Sequence, residues 1–249
     1  MPPSRRGLAS LLDLILPAEC GGCHRPGAPW CGRCAAGLAD LALPSGPVCV
    51  DPDPAPPGLP VTTTWGLYDD PLRGALTAWK DEGRRDLLPV LVPLLSAAVG
   101  GALGVARHEA GWSGGPVLVV PAPSSSRSMR VRGDTPLLDL AAAMVQAVGM
   151  TGTVVASPDP GTVLRLAPVL RPTRAVADQA GLDTQSRALN LRRAHTVTDR
   201  WDSVVRGRRC LLVDDVLTTG TTLTECARAL REAGAGEIRA ATMAIARRH

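Results

Sequence analysis

An α/β protein, with a mostly parallel sheet flanked by helices and a small four-cysteine segment ahead of it, is the fold class this sequence predicts. Three observations predict it. Short apolar runs ending in turn residues, "PVLVVPAP" (116–123) and "RCLLVDD" (209–215), read as strands buried on both faces, and they alternate with Ala- and Leu-rich helical stretches. Two C-x2-C pairs and a proline-rich run occupy the first sixty residues. A chain of 249 residues, 45% apolar and 20% charged, excludes a disordered protein. At this length folding buries roughly 70–75% of the surface the unfolded chain exposes, so a full core forms without staples.

The elements follow in order. Leu8, Leu11, Leu12, Ile15 and Leu16 keep helical spacing; Asp13 interrupts the apolar run and no small-residue cleavage site follows, so an amphipathic packing helix is expected rather than a leader. Next comes "CGGCHRPGAPWCGRC", which sets Cys20, Cys23, Cys31 and Cys34 on two knuckles. Four thiolates on two tight turns suit a tetrahedral structural Zn²⁺ better than a disulfide ladder; free thiols or a redox dithiol are the other readings. His24 reads as a bystander to a complete cysteine set, and Cys210 and Cys226 as small core residues. Seven of the seventeen residues from Pro44 to Pro60 are proline, which reads as a semi-rigid linker. The expected division is therefore 1–60, holding the helix, cysteine knuckles and linker, and 61–249, the main domain.

Within that domain, "VTTTWGLY" (61–68) reads as a strand and 71–82 and 86–99 as helices. Leu87 to Ala106 is twenty residues without a charge, long enough for a membrane span, but Pro89, Pro93 and three glycines favour a buried helix with a loose end. A soluble cytoplasmic protein with no membrane span is expected. Further on, 136–149 reads as a helix, "TVLRLAPVL" (162–170) as one strand, 221–233 as a helix and 237–248 as a last strand. In such a sheet the ligand crevice lies at the carboxyl ends of the strands.

At one of those ends stands "CLLVDDVLTTGTT". Cys210 to Val213 read as a buried strand, and Asp214 onward as the loop leading into a helix. Gly220 lets the backbone approach a ligand, and the helix start directs free N–H groups at whatever sits there, which suits a phosphate. Thr218, Thr219, Thr221 and Thr222 add hydroxyl donors, whereas Val216 and Leu217 offer backbone only. Two adjacent carboxylates would repel a bare polyphosphate, so Asp214 and Asp215 should meet sugar hydroxyls or a metal. Phosphate plus vicinal hydroxyls describes a ribose 5-phosphate. Neither G-x4-G-K-[ST] nor G-x-G-x-x-G is present.

This stretch resembles the PRPP-binding motif of the type I phosphoribosyltransferases. The resemblance implies that fold for the domain, with Asp214 and Asp215 on the ribose hydroxyls and Val216 to Thr222 around the 5-phosphate. The order of "LLDLILPAEC", "YDDPLRGALTAWKDEG", "VPAPSSSRSMRVRG" and "RAVADQAGLDTQSRALNLRRA" narrows it to the ComF family, related to a component of bacterial DNA uptake and to GntX-type proteins. It implies that Arg127, Arg130 and Arg132 meet a diphosphate bridged by Mg²⁺. It also implies a loop over 171–193, with Arg174, Gln179, Arg187 and Asn190 in place, that closes over the site; Arg187 and Asn190 equally suit loop anchors. The chain departs from that family at "RGDTP" (132–136), at Val176, at Asp81 after the lysine and at His195.

Two functions are implied. One is Mg²⁺-dependent transfer of phosphoribose from PRPP to a nitrogen nucleophile. The other is a non-catalytic accessory role in DNA uptake, binding nucleotide or single-stranded DNA and a helicase-type partner. For the second speak ten arginines against four aspartates between Arg165 and Arg209, a local +6 where the whole chain carries +4. Against it, Trp201 is that segment's only aromatic stacking platform. A homo-oligomer fits either reading.

Overall fold

The computed structural model describes residues 18–123, 135–151, 161–173 and 194–247. The expected helix at 8–16 lies outside them. A six-stranded sheet forms the centre, in the order β1-β2-β8-β7-β3-β4. Its strands are β1 (Val48–Cys49), β2 (Thr62–Leu67), β3 (Gly115–Pro121), β4 (Thr162–Leu166), β7 (Arg209–Leu217) and β8 (Ile238–Ile245). All pairs are parallel except β1 with β2. Helices α1 (Gly32–Ala39), α2 (Leu72–Asp81), α3 (Leu88–Ala110), α4 (Pro136–Thr151), α5 (Asp202–Val205) and α6 (Thr221–Glu232) complete it, with an antiparallel ribbon of β5 (Leu170–Pro172) and β6 (His195–Val197). The α/β fold with its mostly parallel sheet is as the alternating pattern predicts. Leu211, Leu212 and Val213 at its centre are fully buried, as a strand covered on both faces requires.

Three elements differ from expectation. Helix α3 does not loosen near residue 99 but runs to Ala110 and ends at Gly111 in the left-handed conformation, φ 63°. Its glycines serve packing: a Cβ on Gly101 would lie 2.8 Å from Pro47 Cβ and 3.1 Å from Thr63 Cγ2, so a bare backbone is what lets that segment and β2 lie against the helix. The helix is long and apolar enough to cross a membrane by length and composition, yet Leu91, Leu95, Ala98, Val99 and Ala102 belong to the core. The single strand expected at 162–170 is two, β4 at the sheet edge and β5 in the ribbon. Between them the Ala167 amide still reaches the Val119 carbonyl at 2.8 Å, but Pro168 has no N–H to continue the ladder. Strand β1 lies inside the proline-rich run and pairs with β2, so the division at residue 60 falls between two hydrogen-bonded strands.

The cysteine segment sits on α2. A Cβ on Gly74 would lie 2.6 Å from the Gly22 carbonyl oxygen, and one on Gly22 would meet Trp30, Cys34 and Pro71 within 3.0 Å.

Candidate functional site

Strand β7 runs to Leu217, four residues past the apolar run that ends at Val213. Asp214 and Asp215 are not in a loop but on the strand, Asp214 in register with Thr242 of β8, and the pairing continues through Val216–Ala244 and Leu217–Ile245. Alternation follows from the pleat: Val213, Asp215 and Leu217 are buried, while Asp214 and Val216 keep partial exposure. Parallel pairing therefore overrides the weak strand propensity of aspartate and fixes both carboxylates at the sheet's carboxyl edge.

Asp215, only 6% exposed, takes the ammonium of Lys80 as its partner, an ion pair between β7 and α2. Burial alone would lower the Lys80 pKa, but the carboxylates of Asp215 and Asp214 together outweigh it and hold it above its ordinary value. Burial, reinforced by the neighbouring Asp215, pushes the Asp214 carboxyl well above the usual range. The Asp215 amide donates to Asp214 Oδ1 at 2.9 Å. Half-buried Tyr68 belongs to the same environment, its phenol pushed up by burial and then by Asp215.

Beyond Leu217 the chain turns. Thr218 and Thr219 are exposed, Thr219 Oγ1 lies 2.8 Å from Thr221 Oγ1, and Gly220 precedes α6 with φ 73°. Gly220 at the N-cap has no side chain to cap this helix, and among the described residues only the Thr221 amide reaches a side chain, donating to Thr219 Oγ1 at a long 3.5 Å. Leu223, Cys226, Ala227 and Leu230 bury the other face and fix its direction. A Cβ on Gly220 would lie 3.0 Å from Leu59 and 3.3 Å from Pro52, so the proline-rich segment lies across the loop. Farther along α6, Arg228 donates to the His195 carbonyl at 2.8 Å and to Glu225 at 2.7 and 2.8 Å, which ties ribbon strand β6 to the helix.

At the other end of the chain the Sγ atoms of Cys20, Cys23, Cys31 and Cys34 lie within 4.8 Å of one another, Cys23 and Cys31 at 3.7 Å. Thiolates around a tetrahedral Zn²⁺ at about 2.3 Å stand about 3.8 Å apart, so the set fits that ion. Burial would raise the Cys20 thiol, but amides of Cys31, Gly22 and Cys23 draw it down to about 6; burial and the other cysteines raise Cys34.

Among the described residues, then, Asp214 to Thr222 form one site, and the four cysteines a separate cluster. Arg127, Arg130, Arg132, Arg174, Gln179, Arg187 and Asn190 lie outside the described residues. The strand that leads toward the first three nevertheless ends beside the aspartates: the Ala122 amide donates to the Val213 carbonyl at 2.9 Å. Sequence reasoning missed Lys80 as a site residue, although its standing as the single lysine among 26 arginines was a signal. It also missed the strap at 51–59, for which proline content gave only a linker.

Residues 139–249, under half of the chain, match the family described as phosphoribosyl transferase domain. A ribose-phosphate pyrophosphokinase of Pasteurella multocida (strain Pm70) is 37% identical over 99 residues, covering 38% of this chain and 29% of that protein. A solved structure described as the allosteric regulatory enzyme of purine biosynthesis shows 23% identity, a TM-score of 0.31, and coverage of 61% of this chain and 25% of its own. The chain thus spans less than a third of each of these two proteins. Residues 139–249 resemble a phosphoribosyl transferase domain, within an α/β fold built on a mostly parallel sheet, and a four-cysteine cluster able to hold a metal precedes them.

Proposed function

We propose that the protein binds PRPP with Mg²⁺ at the end of β7 and transfers its phosphoribosyl group to a nitrogen nucleophile. The observation that carries this reading is the run from Asp214 to Thr222: two carboxylates held on a strand, then a glycine-opened helix start, within the matched domain. The first-turn amides of α6 and the hydroxyls of Thr218, Thr219, Thr221 and Thr222 would bind the 5-phosphate. Asp214 and Asp215 would accept hydrogen bonds from the two ribose hydroxyls and favour positive charge growing on the ring as the C1–O bond to diphosphate breaks. Arg127, Arg130 and Arg132 would receive the diphosphate. Arg174, Gln179, Arg187 and Asn190 would help exclude water, since hydrolysis competes with transfer. When bound, Mg²⁺ screens the diphosphate charge and aids its departure. Zn²⁺ on the four cysteines would be structural, since the cluster lies on α2 with Cys20 and Cys34 buried. The order of segments quoted above supports the ComF branch as the closer kinship.

Saturating protein incubated with PRPP, Mg²⁺ and a panel of nitrogen bases tests the reading. Release of pyrophosphate together with a ribosylated base is expected; PRPP consumption indistinguishable from protein-free controls with every base would rule out transfer.

A further inference from the structure

Helix α2 lies between the four-cysteine segment and the end of β7. On one side Lys80, in its last turn, pairs with Asp215. On another the cysteine segment grips it from end to end. The Gly22 carbonyl, inside the turn that joins Cys20 to Cys23, sits so close to Gly74 that a Cβ there would lie 2.6 Å from its oxygen. Pro71, just before the helix, lies against Gly22 and Gly37, and Gly22 also faces Cys34 Sγ. Past the helix end, Arg84 donates to the Glu19 carbonyl at 2.8 Å and Leu87 packs on Gly21. Glu19 and Gly21 flank Cys20, so the grip comes from residues next to the metal-ligating set itself.

Gly74 and Lys80 are six residues apart, which is about 9 Å along a helix and about 120° around it, so the cysteine segment and Asp215 meet different faces of one rigid element. Leu72, Leu76 and Trp79 anchor that element in the core and limit it to small shifts. A shift of about an ångström is enough to spoil the fit of an ammonium to a carboxylate. The two cysteine turns are themselves joined by the Gly21 amide on the Pro29 carbonyl at 3.0 Å and the Cys31 amide on Cys20 Sγ at 3.4 Å, and a metal on the four sulfurs would lock them together.

We propose that the four-cysteine segment is a positioning element of the PRPP site: by seating α2 it fixes where Lys80 meets Asp215, so that metal on the cysteines and PRPP at β7 each tighten the binding of the other. This rests on the PRPP-binding reading and on the fit of Zn²⁺ to the cysteines. Linkage makes the effect reciprocal, because whatever factor the metal adds to PRPP affinity, PRPP adds to metal affinity. Gly74 and Arg84 act through Lys80 and are positioning residues.

The test is zinc retention by full-length protein against a chelating dye, with and without saturating PRPP and Mg²⁺, in wild type and Lys80→Met, corrected for zinc held by PRPP itself. Calorimetry verifies PRPP binding by each protein and circular dichroism its fold. In wild type PRPP should tighten zinc retention about fivefold or more, and in Lys80→Met by less than about twofold, a difference that a metal serving the fold alone would not produce. Gly74→Ala keeps Lys80 and every cysteine but puts a methyl group against the Gly22 carbonyl, so it should weaken PRPP binding by about the same factor as the wild-type gain. Should Lys80→Met fail to fold or to bind PRPP, the wild-type gain and the Gly74→Ala comparison decide. Zinc retention unchanged by PRPP in wild type, an equal gain in Lys80→Met, or wild-type PRPP affinity in Gly74→Ala overturns the coupling and leaves both sites standing. Wild type that binds no PRPP overturns the reading of the β7 site, and wild type that takes up no zinc overturns the metal's place on the cysteines; either removes the coupling with it.

Discussion

Lys80 of α2 and Asp215 of β7 form an ion pair that joins the helix to the sheet at the rim of the candidate site. A buried carboxylate next to a second one needs a cation, and no other lysine exists in the chain to supply it. The pair fixes the position of the Asp215 side chain before any ligand arrives.

Replacing Lys80 by Met leaves Asp215 buried without its cation. The lysine side chain is 40% exposed, so solvent screens part of the interaction and the expected loss is about 1–3 kcal/mol of unfolding free energy. In the Asp215→Asn background the same substitution should cost much less. Urea unfolding of both single variants and the double variant measures the coupling, and strictly additive losses would show that the pair contributes nothing.

Asp214 predicts the opposite sign. Its folded pKa is raised above the unfolded value, so the folded state holds the proton more tightly, and stability present below the ordinary aspartate range is lost as pH rises toward the folded value. Asparagine imitates the protonated form. Asp214→Asn should therefore raise the melting temperature at neutral pH, with the gain shrinking to nothing as pH falls below the ordinary aspartate range. Melting curves across pH check this; a substitution that destabilises at pH 7 contradicts the burial argument.

Much of this site was legible in the sequence because its signals are local. "CLLV" is an apolar run, and the threonines around Gly220 announce a helix start. The length of β7 was not legible, since the partners that hold Asp214 and Val216 in a strand, Thr242 and Ala244, lie nearly thirty residues on. Strand β1 was hidden in a proline-rich run for the same reason: it exists through pairing with Thr63 and Thr64, not through its own propensity. The strap over Gly220 depends on contacts between residues some 160 positions apart, which no spacing rule reports.

Gly220 should tolerate no side chain. Its φ of 73° and the approach of Leu59 and Pro52 both oppose a Cβ, so Gly220→Ala should cost about 1–2 kcal/mol from the left-handed backbone alone. It should also weaken PRPP binding by disturbing the loop. Denaturant unfolding and calorimetry on the same variant check both effects, and wild-type values in both would contradict the loop geometry.

For the cysteine cluster, metal analysis of purified protein should find one zinc per chain, lost on Cys20→Ser. Because Gly22 and Trp30 join this segment to α2, a chelator should lower the melting temperature of the main transition rather than melt the cluster separately. A metal-free protein with unchanged melting would argue for free thiols.

A ribose-phosphate site at the end of β7 can be probed by calorimetric titration of PRPP with Mg²⁺ into the wild type and into Asp214→Asn/Asp215→Asn. Saturable binding to the wild type is expected, lost or reduced at least about a hundredfold in the variant, in line with the loss of two carboxyl contacts to the ribose. Absence of binding to the wild type, or equal binding to both, would contradict it.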